Sequence, residues 1–99
     1  PHITVDAKLR AEARISEAVA RATALKEVPN GKVQDGELER ENGKLIYSYD
    51  IKVAGKSGIE EIAVDAMTGT VVAHEHETPA AEKKEAAMEA KEKKSTRTP

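Results

Sequence analysis

Between Leu45 and Val53 the apolar residues Leu45, Tyr47, Tyr49, Ile51 and Val53 occupy alternate positions. Successive side chains of a strand point to opposite faces, so all five share one side, and the pattern predicts a half-buried strand. Just before it, Asn42-Gly43 supplies the two left-handed positions of a type I′ hairpin turn. That turn pairs Glu41 with Lys44, Leu38 with Tyr47 and Gly36 with Tyr49. After the strand, the AGKSG stretch sends the chain back. A register with Lys52 opposite Glu61 is favoured there over one with Asp50 opposite Glu61, because like charges facing across strands repel. It would bring Ile51 to Ile62 and Tyr49 to Val64.

The flanks read as cover for this hairpin. Ser16 can accept hydrogen bonds from the free amides of a helix running from Glu17 to about Lys26, with Glu17 favourable in its first turn, and Pro29, Asn30 and Gly31 end it. On that helix Ala20, Ala24 and Glu27 share a face with Thr23, while Val19, Ala22 and Leu25 lean towards a neighbouring one. A first strand over residues 32–41 carries Val33 and Leu38 an odd number apart, so a bulge at Asp35-Gly36 is needed to turn both inward. Glu37, Glu39 and Glu41 then face solvent, where exposed carboxylates deter edge pairing or dock a basic partner. DAMTG reads as a hairpin loop in which the Asp65 carboxylate caps backbone amides and Gly69 takes positive φ. A last strand over residues 70–77 follows. Pairing Asp65 with Thr70 turns Val71 and Ala73 inward and Val72, His74 and His76 outward; one residue of slippage exchanges the faces.

Residues 1–14 open on a β-prone run, Ile3 to Val5, and continue into good helix formers, which predicts an N-terminal arm or short helix. Residues 15–77 form the folded domain. Residues 78–99 are rich in Ala, Glu and Lys with Met88 as the one large apolar side chain, so this charged tail is expected to be a fraying helix or disordered. The fold class is α+β: one helix across a four-stranded antiparallel β-meander, with Tyr47, Tyr49, Ile51, Ile62, Val64 and Val71 beneath it.

Composition narrows the chemistry. With 99 residues, 38% of them apolar and no Trp or Phe, one small core built from Val, Ile, Leu, Ala and two Tyr is all the chain can bury. A net charge of -2 and the lack of aromatics beside basic clusters argue against nucleic acid as a partner. There is no cysteine, hence no disulfide, thiol nucleophile or thiolate metal ligand. No apolar run reaches the roughly 20 residues of a membrane-spanning helix, and no signal peptide is present. The chain begins at Pro1 rather than Met, which fits a processed N-terminus. His74 and His76, two apart on a strand, project the same way, and Glu61 is predicted opposite His74. A zinc site takes three or four protein ligands, so this trio is a weak metal set and no bound metal or other cofactor is expected.

The runs ISEAVARATALKEVPNGKV, ELERENGKLIYSYDIKV and EEIAVDAMTGTVV together resemble a PepSY domain. The shared features are a capped helix with spaced alanines, a Pro-Gly exit, a Tyr-bearing strand and a V-D-A-x-T-G-x-V close. The resemblance spans about residues 14–77. Asn30 stands where the family often has a second Gly, and Thr23 where a larger aliphatic is usual. It implies an α+β domain of the kind found in propeptides of thermolysin-type metallopeptidases, in a spore-germination protein and as free-standing secreted or periplasmic proteins, with a proposed role in restraining peptidases. It implies no catalytic residues; Tyr47, Asp65, Thr68 and Gly69 stand at fold positions.

The expected function is therefore a non-enzymatic, periplasmic or secreted binding module that regulates or inhibits a peptidase, with a secreted metallopeptidase as partner. A self-associating structural domain, forming a homodimer, is the rival class. The expected interaction surface is either the outer sheet face, where Ile46, Ala63 and Val72 interrupt the charges, or an open strand edge to which an extended peptide adds.

Overall fold

The computed structural model describes residues 1–78. The expectation for the charged tail falls, from residue 79 onward, outside the described residues. Five strands, β1 (His2–Thr4), β2 (Gly31–Glu41), β3 (Lys44–Val53), β4 (Ile59–Asp65) and β5 (Val71–Glu77), form one sheet in chain order. Two helices, α1 (Ala7–Glu12) and α2 (Glu17–Lys26), connect β1 to β2. The α+β class holds, but the four-stranded antiparallel meander under one helix is corrected to a five-stranded mixed sheet with two short helices. The added strand, β1, runs parallel to β2 with Ile3 opposite Gly36. It is only three residues long, too short for an alternation to mark it. A parallel pair needs a long crossover, and the two helices provide it.

Local chemistry sets each element. Asp6 caps α1, its Oδ1 accepting from Lys8 N at 2.8 Å and Leu9 N at 3.2 Å. Ser16 Oγ accepts from Val19 N at 3.2 Å, opening α2 at the expected residue. Asn42 and Gly43 both have positive φ, 51° and 81°, and set Leu38 opposite Tyr47 and Gly36 opposite Tyr49 as the I′ turn requires. The bulge of β2 lies between Val33 and Asp35, so Gln34 rather than Asp35-Gly36 is the extra residue.

The β3–β4 register differs from expectation by two residues. Tyr49 faces Ile62 and Tyr47 faces Val64, which leaves Asp50 opposite Glu61 and Ile51 opposite Glu60. The hairpin's centre lies one residue earlier than the charges suggested. Lys56 N donates to Val53 O at 3.1 Å, and positive φ at Gly55 and Gly58 lets β4 start at Ile59. Lys52 spends its ammonium on the loop, donating to Lys56 O at 2.7 Å and Gly58 O at 3.0 Å. Repulsion between facing carboxylates costs only about 0.2–1 kcal/mol, less than the tight turn and the core pairs gain.

The core lies between α2 and the sheet. Ala20 and Ala24 are fully buried, and their small side chains let the helix come close to Tyr47, Tyr49, Ile51, Ile62 and Val64. Val71, Ile3, Val5 and Leu9 pack at the margin, so the N-terminal arm contributes to the same core. The two tyrosines fix the helix. Tyr47 Oη donates to the Ile15 carbonyl at 2.7 Å, and Tyr49 Oη lies 3.2 Å from the Glu17 carbonyl and 3.1 Å from Glu17 Oε2, donating to one at a time. Their rings are 6.4 Å apart and nearly parallel. Burial, then the charge and hydrogen bond of Glu17, push the Tyr49 phenol well above its ordinary value, so it stays a neutral donor. Gly36 opposite Tyr49 has no room for a side chain: a Cβ there would sit 2.8 Å from the ring and from Ile3 Cδ1.

Tyr49→Ala is expected to cost about 3–5 kcal/mol and Tyr49→Phe, which removes only the hydroxyl, about 1 kcal/mol. Urea denaturation checks both; a loss below roughly 1 kcal/mol for the alanine variant would refute the burial of this face.

Candidate functional site

The loop before β5 sets the geometry of the strand. Asp65 Oδ1 accepts from Met67 N at 2.7 Å and Thr68 N at 3.0 Å, and these backbone donors hold its carboxyl below the usual range. Gly69 N donates to Asp65 O at 2.8 Å, and Asp65 N donates to Thr70 O, also at 2.8 Å. Asp65 therefore plays the capping role read from the sequence. Beyond it, Val71 faces Val64 and Ala73 faces Ala63, so Val72 is an extra residue in a bulge. A bulge reverses the parity of everything after it. Ala73 and Glu75 consequently join the outer face, while His74 comes opposite Ile62 and His76 opposite Glu60 on the helix side. The expected outward direction of the two histidines is thereby corrected, and so is their acidic partner: Glu60, not Glu61.

Four side chains from three elements meet there. His74 Nε2 lies 2.8 Å from Glu60 Oε1 and its Nδ1 lies 3.3 Å from Glu27 Oε1, at the end of α2. His76 Nδ1 contacts the other oxygen of Glu60. The hydrogen bonds from His74 and His76 hold the Glu60 carboxyl below its ordinary value. The bond from Glu60, with a smaller contribution from Glu27, holds His74 above its own, against partial desolvation. Sequence reasoning missed Glu27 and Glu60; the bulge hides them, because without it they lie across the sheet from the histidines. Three of the four ring nitrogens contact carboxylates, an arrangement suited to sharing protons. Among the described residues no group of three or more His, Asp or Glu is arranged to hold a metal ion.

The three residues expected to form an interaction surface part company. Ile46 and Ala63 lie on the outer face but are only 5% and 9% exposed, whereas Val72 is 46% exposed at the bulge. Two further large apolar residues are exposed, Val19 at 54% and Met67 at 40%. Met67 sits in the loop leading to β5. Val19 lies near the start of α2, on the face next to the one that carries Glu27. Met67 and Val72 thus expose apolar area at the start of β5, the sheet's last strand, whose one strand neighbour among the described residues is β4. The outer face is acidic instead. Glu39, Glu41, Glu61 and Glu75 rim a hollow of about 230 Å³ floored by Ile46, Ala63 and Ala73. Desolvation, then repulsion from Glu37 and Glu41, raises the Glu39 carboxyl above its usual value.

Titrating Zn²⁺ or Ni²⁺ while following the His74 and His76 imidazole resonances is expected to give no saturable binding below micromolar concentration; saturable submicromolar binding would contradict the proton-sharing arrangement.

Comparison with curated proteins and with solved structures gives no match. Residues 14–75 match, in a single copy, the family described as "Peptidase propeptide and YPEB domain", a stretch that runs from the entry to α2 into β5 and leaves β1 and α1 outside it. That match takes in well over half of the 99 residues, and it includes the capped helix, the tyrosine strand and the Asp65 loop: this chain belongs to the PepSY family.

Proposed function

We propose that the chain is a non-enzymatic, extracytoplasmic module that binds and restrains a peptidase, with a secreted metallopeptidase as the partner class. The observation that carries the reading is the family match over residues 14–75. One feature supports it: three of the four ring nitrogens of His74 and His76 already contact carboxylates. Binding uses the edge of β5. An extended segment of the partner adds there as a further strand, its backbone supplying affinity while apolar side chains cover Val72 and Met67. Family members are typically extracytoplasmic, and this chain is assigned to the periplasm or the secreted fraction on that ground.

The same edge, which has no second strand neighbour among the described residues, supports the rival reading, self-association through β5 of a second copy, because an edge strand pairs with any compatible strand. Purified protein incubated with the secreted metallopeptidases of its source organism is expected to inhibit at least one of them. Val72→Asp is expected to weaken that inhibition by about tenfold or more, since an interface anchor is typically worth more than about 1.4 kcal/mol, while leaving the fold intact. A dimer forming at low micromolar concentration, broken by Val72→Asp and without effect on any peptidase, would instead establish the structural reading.

A further inference from the structure

The two ring nitrogens of His74 both face carboxylate oxygens, Glu27 at 3.3 Å and Glu60 at 2.8 Å. A neutral imidazole carries one proton, so one of its nitrogens would then present a lone pair to a carboxylate, which is acceptor-only when ionised. The geometry is satisfied by the imidazolium, which donates to both. Its two acceptors belong to different elements: Glu27 is the C-cap of α2, and Glu60 lies in β4. His74 itself is in β5. We propose that His74 is a proton-operated clasp that, when charged, ties the edge strand β5 to the end of α2, and on losing its proton loosens the C-terminal half of β5.

The charged groups around the clasp are of both signs. From α2 comes Glu27, from β4 Glu60, and from β5 itself His76, whose Nδ1 lies against the second oxygen of Glu60. Lys56 of the β3–β4 loop borders the same groove as Glu27 and Glu60. Two carboxylates and an imidazolium at the centre of this group leave it near balance, whereas a neutral His74 leaves Glu27 and Glu60 facing each other across an uncharged ring. Because His74 is held above the ordinary imidazole value, its contribution is fully present below that value and is lost as pH rises through the raised one. Glu60, held below the ordinary carboxylate value, contributes above that value and fails only as pH falls through the lowered one. The clasp is therefore closed between the two, in mildly acidic solution, and opens on the alkaline side. The groups are partly solvated, which keeps the effect modest.

This device regulates the surface assigned above and rests on that reading for its consequence: a strand held flat before a partner arrives loses less freedom on binding, so docking on β5 strengthens as pH falls towards about 6. The clasp is tested on the free protein. Long-range ¹⁵N–¹H spectra of the His74 ring are recorded from pH 5 to 9, with amide exchange of Ala73, His74, Glu75 and His76 expressed as protection factors. The ring is expected to be doubly protonated at pH 6 with both nitrogens hydrogen-bonded, and β5 protection to fall about threefold or more by pH 8.5. In His74→Gln and, acting from the helix side, Glu27→Gln, that fall should largely disappear while protection of β3 stays high. Protection of β5 that does not change with pH in the native protein, or a fall that persists in both variants, would overturn the clasp. A peptidase that fails to bind would overturn the docking reading and leave the clasp standing.

Discussion

Everything in this fold depends on the two tyrosine hydroxyls that reach through the core to the start of α2. In a chain with no other aromatic residue, Tyr47 and Tyr49 fill the space between helix and sheet and use their polar tips to satisfy carbonyls at Ile15 and Glu17. A buried hydroxyl without a partner costs about 1–3 kcal/mol, so each bond fixes where the helix begins. The strand side is held by Gly36, whose missing Cβ leaves room for the Tyr49 ring. The chain entering α2 is held in turn by Arg14 N and Ile15 N, both donating to Ala66 O at 3.0 and 2.9 Å. The helix origin, the central strand and the β4–β5 loop are thus one unit. α2 then runs along the sheet to bring Glu27 to β5.

That placement decides what the surface offers. The helix covers the middle of one sheet face and leaves the last strand as an edge, with exposed apolar residues at its beginning and a proton-binding cluster along its second half. The opposite face carries carboxylates from β2, β4 and β5 around a shallow apolar floor. One face therefore repels an acidic partner, and the proposed docking on β5 leaves that face uncovered.

Short-range chemistry was readable in the residues, and long-range register much less so. Ser16, Asn42-Gly43 and Asp65 each act through bonds closed within a few residues, and the elements they bound match closely. The β3–β4 pairing depended on whether a charge rule or a tight loop prevails. The carbonyls of Lys56 and Gly58 capture Lys52 and settle it in favour of the loop. The bulge at Val72 carries no local signature, since Val71 and Val72 fit either face, yet it moves both histidines across the sheet. The pairing of His74 with Glu60 and Glu27 was therefore beyond reach, although the histidines themselves stood out. The β-prone run at Ile3 to Val5 was legible, but its place in the sheet was not, because its partner strand lies some thirty positions away.

The central claim, that β5 is the docking strand, is tested most directly by mapping contacts on the isotope-labelled protein as a metallopeptidase it inhibits is added. Amide resonances of Val71 to Glu77, with the methyl groups of Met67 and Val72, are predicted to shift or broaden first and together. Perturbations confined to Glu37, Glu39, Glu41 and Ser48 on the acidic face, with β5 unchanged, would contradict the account.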